Sequence, residues 1–529
     1  MAQWSGHWTA TEGVDSVARM CAVGTAPAIV SQDWLAHHAS VRPTKVAITD
    51  LGTGRRLTYA ELDQRTGRLA TVLTHHFGVG RGDRVAVLSH NNSNIFEVQF
   101  ACWKLGAIFV PLNWRLAPPE LEYIVGDCEP KVLLYGTSFA DKAATLTAIG
   151  HRLVWDGPAD SFEEALSAVA TVDHPTGGNT LDTILTVMYT SGTTGRPKGV
   201  TITHGMTLWN VVNQTEFFRT SSTMVNLVVL PMFHTGGLNT FALPAFHYGG
   251  SNVIMPTFDA ERTLALLCDA EVGITHLQSV PANYLFMSQT VGFADASFPT
   301  IIAAGVGGSP APHALIESWL AKGVRLQQAF GMTETGSMVM ALPVEDAARK
   351  IGSAGLAFLH NECRVVDRQG NDVPRGAVGE LWMKGPNITP GYWKRPDETE
   401  AAFSDGWFRS GDAVRQDEEG YYYVVDRWKD MYISGGENVY PAEVENVIFQ
   451  LGGVADAAVI GVPDERWQEV GKAFVVREPG ATLTGPEVLD HCLSNLAKYK
   501  VPRAVVFLDE LPRNATGKVL KRVLRDGTD

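Results

Sequence analysis

The chemistry of this chain is concentrated in residues 189–200, which read Tyr-Thr-Ser-Gly-Thr-Thr-Gly-Arg-Pro-Lys-Gly-Val. This loop combines three glycines, four Ser or Thr hydroxyls and Lys198, and it follows the apolar run 184–188. Glycine lets the backbone approach a ligand closely, turned N–H groups form an anion site, and hydroxyls and lysine add donors and charge. The composition predicts a polyphosphate-binding loop rather than a solvated turn. It differs from the common G-x-x-x-x-G-K-[ST] loop, because Gly199 follows Lys198 where that pattern has Ser or Thr.

Four further motifs follow, and each has an ordinary structural interpretation when it stands alone. Residues 328–336 contain an aromatic side chain that can stack on a nucleobase and a carboxylate that can hold Mg²⁺, although a Thr-Glu pair usually begins a helix. Residues 408–412 end in a Gly-Asp turn whose carboxylate could hold ribose hydroxyls. Residues 426–441 join a charged cluster to a glycine pair, and residues 511–519 contain a single lysine near the C-terminus.

The elements that must position these motifs alternate between strand-like and helix-like runs from Lys45 onward. Thr58 and Glu61 form a capping box before an apolar helical face, and Gly78 is a stop signal. Further apolar runs indicate a helix over 95–105 and strands over 84–89, 131–135, 226–230, 251–255 and 300–304. The rhythm predicts an α/β fold in which a large N-terminal domain consists of layered, mostly parallel sheets with helices.

The last hundred residues form a second pattern. Pro441 can begin a helix that Gly452 ends, Thr484 and Glu487 cap another helix, and strands are expected over 457–462, 473–476 and 505–508. We predict a small α+β domain over 429–529, after a large domain over 1–428.

Composition restricts the function. The chain has 529 residues, 45% hydrophobic and 19% charged, with a net charge of −14, so general binding to nucleic acid or to an anionic membrane is not expected. Six cysteines occur singly, which favours reduced thiols over a disulfide framework or a zinc site. With no apolar leader and no long apolar span, a cytoplasmic protein without a membrane span is expected.

Together and in this order, the five motifs resemble those of the adenylate-forming superfamily, which includes acyl-CoA synthetases, carrier-protein adenylation domains and beetle luciferases. The resemblance covers roughly residues 34–521. Residues 231–237, Pro-Met-Phe-His-Thr-Gly-Gly, and 437–441, Glu-Asn-Val-Tyr-Pro, are similar to the acyl- and aryl-CoA ligase branch. Two departures are Phe330, where many relatives have Tyr, and Ser410, where relatives usually have Thr; the first keeps stacking but loses a phenol hydroxyl.

The resemblance implies roles for individual residues. Glu334 would bind Mg²⁺, Thr333 would contact the α-phosphate, Lys518 would be the adenylation lysine, and His234 would sit beside the acyl pocket. The small domain would rotate about Lys429 between the two half-reactions. The residues implied in ATP and CoA binding are Thr190, Ser191, Gly192, Thr193, Thr194, Lys198, Gly307, Gly308, Ser309, Gln328, Phe330, Gly331, Met332, Asp412, Arg427, Lys429, Ser434, Gly435 and Gly436.

The implied activity is an acid–CoA ligase that forms an acyl-adenylate from an acid and ATP and then a thioester with CoA. An aliphatic (fatty) and an aryl monocarboxylic acid both remain open as substrate, and the resemblance allows a homodimer. The alternatives are an adenylation enzyme that loads a carrier protein in trans, since the chain ends eleven residues after Lys518; a luciferase-like oxygenase; and a non-catalytic nucleotide sensor. The sensor is disfavoured because Lys518 and Glu334 are both present.

The sequence gives the least information about the pocket that binds the acid. Candidate lining residues are mostly apolar or small and include no Lys or Arg, which disfavours a dicarboxylate: Phe233, His234, Asn239, Ser279, Val280, Tyr284, Gly305 and Gly307. His234 could contact the carboxylate, gate the path to CoA, or be a core residue with satisfied nitrogens. His204 is assigned a structural role, and Trp393 is expected mainly to pack.

Overall fold

A computed structural model describes residues 29–157, 160–170, 178–190, 197–427, 430–434, 437–513 and 519–527. We call the described residues up to 427 the large unit and those from 430 onward the small unit. In the part of the chain so described, no helix is long and apolar enough to cross a membrane.

Helices cover both units. They are α1 (Trp34–Val41), α2 (Tyr59–Phe77), α3 (Ser93–Leu105), α4 (Pro118–Cys128), α5 (Ala140–Thr145), α6 (Ser161–Ser167), α7 (His204–Phe218), α8 (Thr235–Leu238), α9 (Ala242–Tyr248), α10 (Ala260–Cys268), α11 (Pro281–Ser288), α12 (His313–Leu320), α13 (Pro396–Ala402), α14 (Pro441–Ile448), α15 (Gly485–Asn495) and α16 (Lys521–Asp526).

The strands of the large unit are β1 (Val46–Asp50), β2 (Arg56–Thr58), β3 (Arg84–Leu88), β4 (Ile108–Pro111), β5 (Val132–Gly136), β6 (His151–Trp155), β7 (Ile184–Thr190), β8 (Lys198–Thr203), β9 (Val225–Val228), β10 (Ser251–Ile254), β11 (His276–Ser279), β12 (Ala303–Val306), β13 (Leu326–Phe330), β14 (Met340–Ala341), β15 (Leu356–Ala357), β16 (Glu362–Val366), β17 (Val378–Lys384), β18 (Phe403–Ser404), β19 (Trp407–Gln416) and β20 (Tyr422–Arg427). Those of the small unit are β21 (Tyr432–Ser434), β22 (Glu437–Val439), β23 (Val454–Asp464), β24 (Gln468–Arg477) and β25 (Ala504–Leu508).

Two largely parallel sheets carry most of the large unit. The nine-stranded sheet has the order β15-β14-β13-β12-β11-β9-β10-β1-β2, and the six-stranded sheet has the order β6-β5-β3-β4-β7-β8. Antiparallel pairs occur at their edges, including β7–β8, while the inner pairs are parallel. The carboxyl ends of parallel strands meet at one edge, where ligands bind in open α/β sheets. The predicted α/β class is confirmed.

Two other sheets complete the fold. β16-β17-β19-β18, with β20 paired to β19, form an antiparallel sheet of the large unit. The small unit has its own sheet, β22-β21-β24-β23, with β25 parallel to β24. A separate hydrophobic core around Val444, Ile448, Val459 and Val475 lies under that sheet. The small unit can therefore pack its own interior.

Most local predictions are confirmed. The Thr58–Glu61 capping box begins α2, and Gly78 ends it with φ of 62° in the left-handed region. Several bounds differ: β9 ends at Val228 rather than Leu230, and β24 starts at Gln468 rather than Ala473. Two other wrong bounds follow from particular hydrogen bonds. β12 starts at Ala303 rather than Thr300, because the N–H groups of Ile302 and Ala303 both donate to the same Thr275 carbonyl before the regular ladder begins.

The second wrong bound concerns α14, which ends at Ile448 rather than near Gly452. The N–H of Gln450 donates to the carbonyl of Val447, and that of Leu451 donates to Ile448. These bonds to the third preceding residue tighten the last turn and end the α-helix early.

Candidate active site

The predicted phosphate loop connects the ends of two neighbouring antiparallel strands, β7 and β8. Thr190 at the end of β7 pairs with Lys198 at the start of β8, and residues 191–196 between them lie outside the described residues. The Lys198 ammonium is 3.2 Å from Glu398 Oε2 and 4.2 Å from the centroid of the Tyr392 ring. Both contacts hold the cation at the base of the loop, where a phosphate could take the place of Glu398.

Tyr392 also reaches the second predicted charge. Its hydroxyl donates to Glu334 Oε1 at 3.0 Å, and the Glu334 residue is only 7% exposed. Burial first, and then the charge of Glu334, raise the pKa of the Tyr392 phenol, so it stays a donor at any ordinary pH. One tyrosine thus joins the carboxylate expected to hold Mg²⁺ to the lysine expected to hold phosphate.

The position of Tyr392 follows from backbone pairing with β8. The N–H of Trp393 donates to the carbonyl of Gly199 at 2.7 Å, and that of Thr201 donates to Gly391 at 3.1 Å. The Tyr392 N–H is itself bonded to Thr399 Oγ1. Tyr392 is not among the residues predicted from the sequence, where Trp393 alone of the Gly-Tyr-Trp motif over 391–393 was assigned a role.

The side chain of Gln328 organises the predicted adenine site. Its Oε1 accepts from the N–H of Ala311 at 3.0 Å, and its Nε2 donates to the carbonyls of Val306 and Ser309 at 3.2 and 3.3 Å. The loop of Gly307, Gly308 and Ser309 is therefore fastened to β13 by one carboxamide. Gly308 has φ of 83°, which favours glycine.

Phe330 ends β13 and is half-buried, so part of its ring remains accessible for stacking on a base. Gly331 follows where no side chain fits, since an added Cβ would lie 2.0 Å from the carbonyl oxygen of Ser337. Met332 and Thr333 then lead into a single 3-10 turn over Thr333–Thr335, which presents Glu334. The strand end, the glycine and the turn bring the predicted adenine and Mg²⁺ residues together.

The predicted ribose residues are cross-strand partners. Asp412 on β19 pairs with Arg427 on β20, and Asp412 is 4% exposed. The N–H of Asp412 donates to the hydroxyl of Ser410 at 3.0 Å. A serine at 410 therefore supplies the same acceptor that a threonine would.

His234 is the N-cap of α8. Its Nδ1 accepts from the N–H of Gly236 at 3.2 Å, and burial lowers the pKa of its imidazole to about 4. The ring is therefore neutral at physiological pH, with its proton on Nε2. Asn91 fixes the segment before it, because its Nδ2 donates to the carbonyl of Leu230 and its Oδ1 accepts from the N–H of Met232. A neutral imidazole so placed can donate to an oxygen of the acid.

Some predicted pocket residues are committed to the protein itself. The ring of Tyr284 is fully buried against Trp319, and its hydroxyl donates to the carbonyl of Gly305 at 3.1 Å. The amide of Asn239 donates to Thr235 Oγ1 and to the Gly336 carbonyl. His204 is buried with Nδ1 2.9 Å from Ser31 Oγ, in line with a structural role.

Several predicted residues lie outside the described residues: Ser191, Gly192, Thr193, Thr194, Lys429, Gly435, Gly436 and Lys518. Ser434 is described, and it lies buried at the end of β21 in the small unit.

Comparison with known proteins defines the class to which this site belongs. The family model of AMP-binding enzymes matches residues 35–393, and that of the AMP-binding enzyme C-terminal domain matches residues 443–518. The chain belongs to the AMP-binding enzyme family.

Curated relatives match over almost their whole length. A feruloyl-CoA synthase from Amycolatopsis sp is 40% identical over 93% of this chain and 98% of its own. An indoleacetate–CoA ligase from Aromatoleum aromaticum and a long-chain-fatty-acid–CoA ligase from Mycobacterium tuberculosis are each 40% identical over 93% of this chain and 97% of their own.

Solved structures agree on the fold. ATP-bound MatB from Rhodopseudomonas palustris has a TM-score of 0.86 and 34% identity, covering 93% of this chain and 98% of its own. The o-succinylbenzoate CoA synthetase MenE from Bacillus subtilis, in complex with ATP and magnesium, has a TM-score of 0.84 and 32% identity, covering 93% and 99%. Apo MatB has a TM-score of 0.76, with the same identity and coverage as ATP-bound MatB. The present chain is therefore more similar in structure to the ATP-bound form.

Proposed function

We propose that this AMP-forming acid–CoA ligase joins an aliphatic or aryl monocarboxylic acid to CoA, with release of AMP and pyrophosphate. One observation carries the assignment of the nucleotide site: Tyr392 holds Glu334 and Lys198 together at the mouth of the β7–β8 hairpin. A carboxylate and a lysine beside a glycine-rich hairpin suit the polyphosphate of a nucleotide and its metal ion. The CoA ligase relatives, which match along almost their whole length, support the second substrate.

The donor set at Glu334 fits Mg²⁺. Among the described residues no group of three or more His, Cys, Asp or Glu side chains could hold a metal ion, so a cage built only from protein ligands is not expected there. Mg²⁺ at nucleotide sites commonly uses one or two carboxylates together with phosphate oxygens, and one buried carboxylate is what Glu334 offers. When bound, the ion would neutralise phosphate charge.

In the first step the carboxylate attacks the α-phosphorus of ATP, the bond to pyrophosphate breaks, and an acyl-adenylate forms. Both reactants are anions, so the site must offset their repulsion. We assign Lys198 to the departing pyrophosphate, Thr333 to the α-phosphate and Lys518 to the charge that builds on phosphorus. His234, neutral and carrying its proton on Nε2, can donate to an oxygen of the acid and hold it in line.

In the second step the CoA thiolate attacks the acyl carbonyl and AMP leaves. Lys518 has no role in that step, whereas the pantetheine arm of CoA needs an open path to the acyl group. We propose that the domains are 1–428 and 429–529, and that the small one rotates about Lys429 to bring Ser434, Gly435 and Gly436 to the acyl group.

An adenylation enzyme that loads a carrier protein is the second candidate, because it needs the same nucleotide and acid sites. We place the enzyme in the cytoplasm, where the cysteines described as free, such as the buried Cys102 and Cys128, remain reduced. A homodimer is proposed from the family alone.

A panel of acids tests the function. Pyrophosphate release and thioester formation are measured with ATP and Mg²⁺, with and without CoA, on ferulate, cinnamate, benzoate, indoleacetate, octanoate and palmitate. CoA-dependent turnover of any acid supports the ligase. Pyrophosphate release that is indifferent to CoA supports the carrier-loading enzyme, and no release with any acid refutes both.

A further inference from the structure

The cation at the base of the predicted phosphate loop is paired with a carboxylate of the protein itself. Lys198 Nζ lies 3.2 Å from Glu398 Oε2, and the two side chains are 18% and 38% exposed. Among the described residues, no other carboxylate forms an ion pair with this ammonium group. Oε2 of Glu398 is buried, yet in the described part of the chain no group donates a hydrogen bond to it. The pair is therefore held by charge without a formed hydrogen bond, and a ligand that bonds Lys198 more strongly can replace Glu398.

The first turn of α13 keeps Glu398 at this position. Arg395, just before the helix, lies with Nη2 2.6 Å from Asp127 Oδ1 of α4. Thr399 Oγ1 accepts from the N–H of Tyr392 at 2.9 Å and donates to the carbonyl of Arg395 at 2.8 Å. These contacts fasten the residues on both sides of Glu398 to the rest of the large unit. The carboxylate therefore stays beside the loop whether or not a ligand is bound.

Glu398 and a bound polyphosphate would compete for the same cation. The Lys198 ammonium is the predicted counter-ion of the phosphate chain, and Glu398 already neutralises it. The charge of Glu398 also reaches Tyr392, because after burial and the charge of Glu334 it contributes to the raised pKa of that phenol. Two anions beside one cation repel each other, and the repulsion grows with the charge of the ligand. Pyrophosphate is therefore affected most, and AMP, which lacks the β- and γ-phosphates, is affected least.

We propose that Glu398 is an internal competitor of pyrophosphate, which pairs again with Lys198 after the acyl-adenylate has formed and so speeds release of the first product. The inference rests on the proposed ligase function and assigns to it a residue that contacts no reacting atom. ATP must displace the same carboxylate to bind, so the contact weakens the binding of both ATP and pyrophosphate. Pyrophosphate that stays in the site can attack the acyl-adenylate and re-form ATP and the acid. Early release therefore leaves the acyl-adenylate for CoA.

The binding of three ligands tests the proposal without any acid. Isothermal titration calorimetry with Mg²⁺ gives the Kd of pyrophosphate, ATP and AMP for the wild type and for Glu398→Gln, which removes the charge and keeps the shape. An ion pair between partly exposed side chains contributes a factor of up to about 5, and relief of repulsion adds to it, so pyrophosphate and ATP should bind about 5- to 20-fold more tightly to the variant. The Kd of AMP should change by less than about twofold, because its phosphate lies farther from Glu398 and is screened by solvent ions.

Glu400→Gln is the matched control, since Glu400 is an exposed glutamate of the same helix and its removal changes the net charge equally. It should leave all three Kd values unchanged. In the ligase assay, pyrophosphate should inhibit Glu398→Gln at about 5- to 20-fold lower concentration than the wild type. An unchanged Kd of pyrophosphate in Glu398→Gln, or an equal gain for AMP, overturns the inference and leaves the ligase function intact. A wild type that binds neither ATP nor pyrophosphate refutes the proposed nucleotide site as well.

Discussion

Asp426 is expected to set the balance between the two half-reactions. It lies in β20 of the large unit, is 8% exposed, and its Oδ2 accepts from the N–H of Ala442 in the small unit at 2.9 Å. Ala442 is in the first turn of α14, whose own N-cap, Tyr440, makes no side-chain cap bond. The large unit therefore supplies the cap of a helix in the small unit, and rotation of the small unit about Lys429 would break that contact.

The charge of Asp426 acts on a second group of the small unit. Burial alone would lower the pKa of Lys521 in α16, but the carboxylates of Glu445 and Asp426 outweigh burial and leave that pKa above its ordinary value. Lys521 is also 2.8 Å from Glu445 Oε1. Asp426 thus attracts both the N-terminus of α14 and a buried ammonium group.

The magnitude follows from these contacts. A hydrogen bond to a charged group contributes about 1.5–3 kcal/mol, and a carboxylate at a helix N-terminus about 0.3–1 kcal/mol. A loss of about 2 kcal/mol from one orientation changes the equilibrium between two orientations by about 30-fold. The chain is more similar to ATP-bound MatB than to apo MatB, and for this prediction we expect the described orientation to be the one that serves adenylation.

Asp426→Ala should therefore slow adenylation, by up to about 30-fold, and spare or accelerate thioester formation. Asp426→Asn keeps an oxygen acceptor, so its loss should be smaller. Adenylation is measured as acid-dependent exchange of pyrophosphate into ATP, and the second step with supplied acyl-adenylate and CoA. Glu443→Gln is the control, since Glu443 is on the same helix but pairs with Lys500 inside the small unit. Equal losses in both steps, or an unchanged adenylation rate in Asp426→Ala, would refute the reasoning.

Four further predictions concern catalysis and stability. Tyr392→Phe removes the bond to Glu334 but keeps the ring beside Lys198, so we expect KM for ATP to rise about 5- to 10-fold with KM for the acid unchanged; an equal rise in both would contradict this. Lys518→Ala should abolish most adenylation and spare thioester formation from supplied acyl-adenylate, and equal loss in both steps would count against its role. Thr58→Ala removes one half of the α2 capping box and should lower unfolding free energy by about 1 kcal/mol, seen as a lower midpoint in urea. Burial lowers the pKa of His234, His247 and His276 to about 4. The unfolded chain therefore binds more protons than the folded chain below about pH 6.5, and the free energy of unfolding should fall as pH drops toward about 4. A urea unfolding midpoint that stays constant between about pH 6.5 and 4 would contradict this prediction.

The local elements were predictable because their signals lie within a few residues. Thr58 and Glu61 form both bonds of a capping box, and Thr484 and Glu487 repeat the arrangement at α15. Alternation of apolar runs indicated the parallel sheets for a similar reason, since each strand carries its own pattern. The bounds of β12 and α14 could not be predicted in the same way. They depend on which N–H groups donate to the carbonyl oxygens of Thr275 and Val447, and that is decided by the folded backbone rather than by a local sequence pattern.

The side-chain contacts that join the motifs could not be predicted from the sequence. Glu334 and Lys198 were predicted separately, but Tyr392, which joins them, lies 58 residues from Glu334 along the chain. Its selection required the pairing of residues 391–393 with β8, which no local pattern encodes.

Burial decides what His234 can do at the acid site. Its imidazole is neutral because it is buried, and its Nδ1 already accepts from the N–H of Gly236. Nε2 is therefore the ring atom that carries the proton, and it alone can donate to an oxygen of the acid. A charged imidazole would have lost the Nδ1 acceptor that caps α8, so the cap and the neutral state support each other.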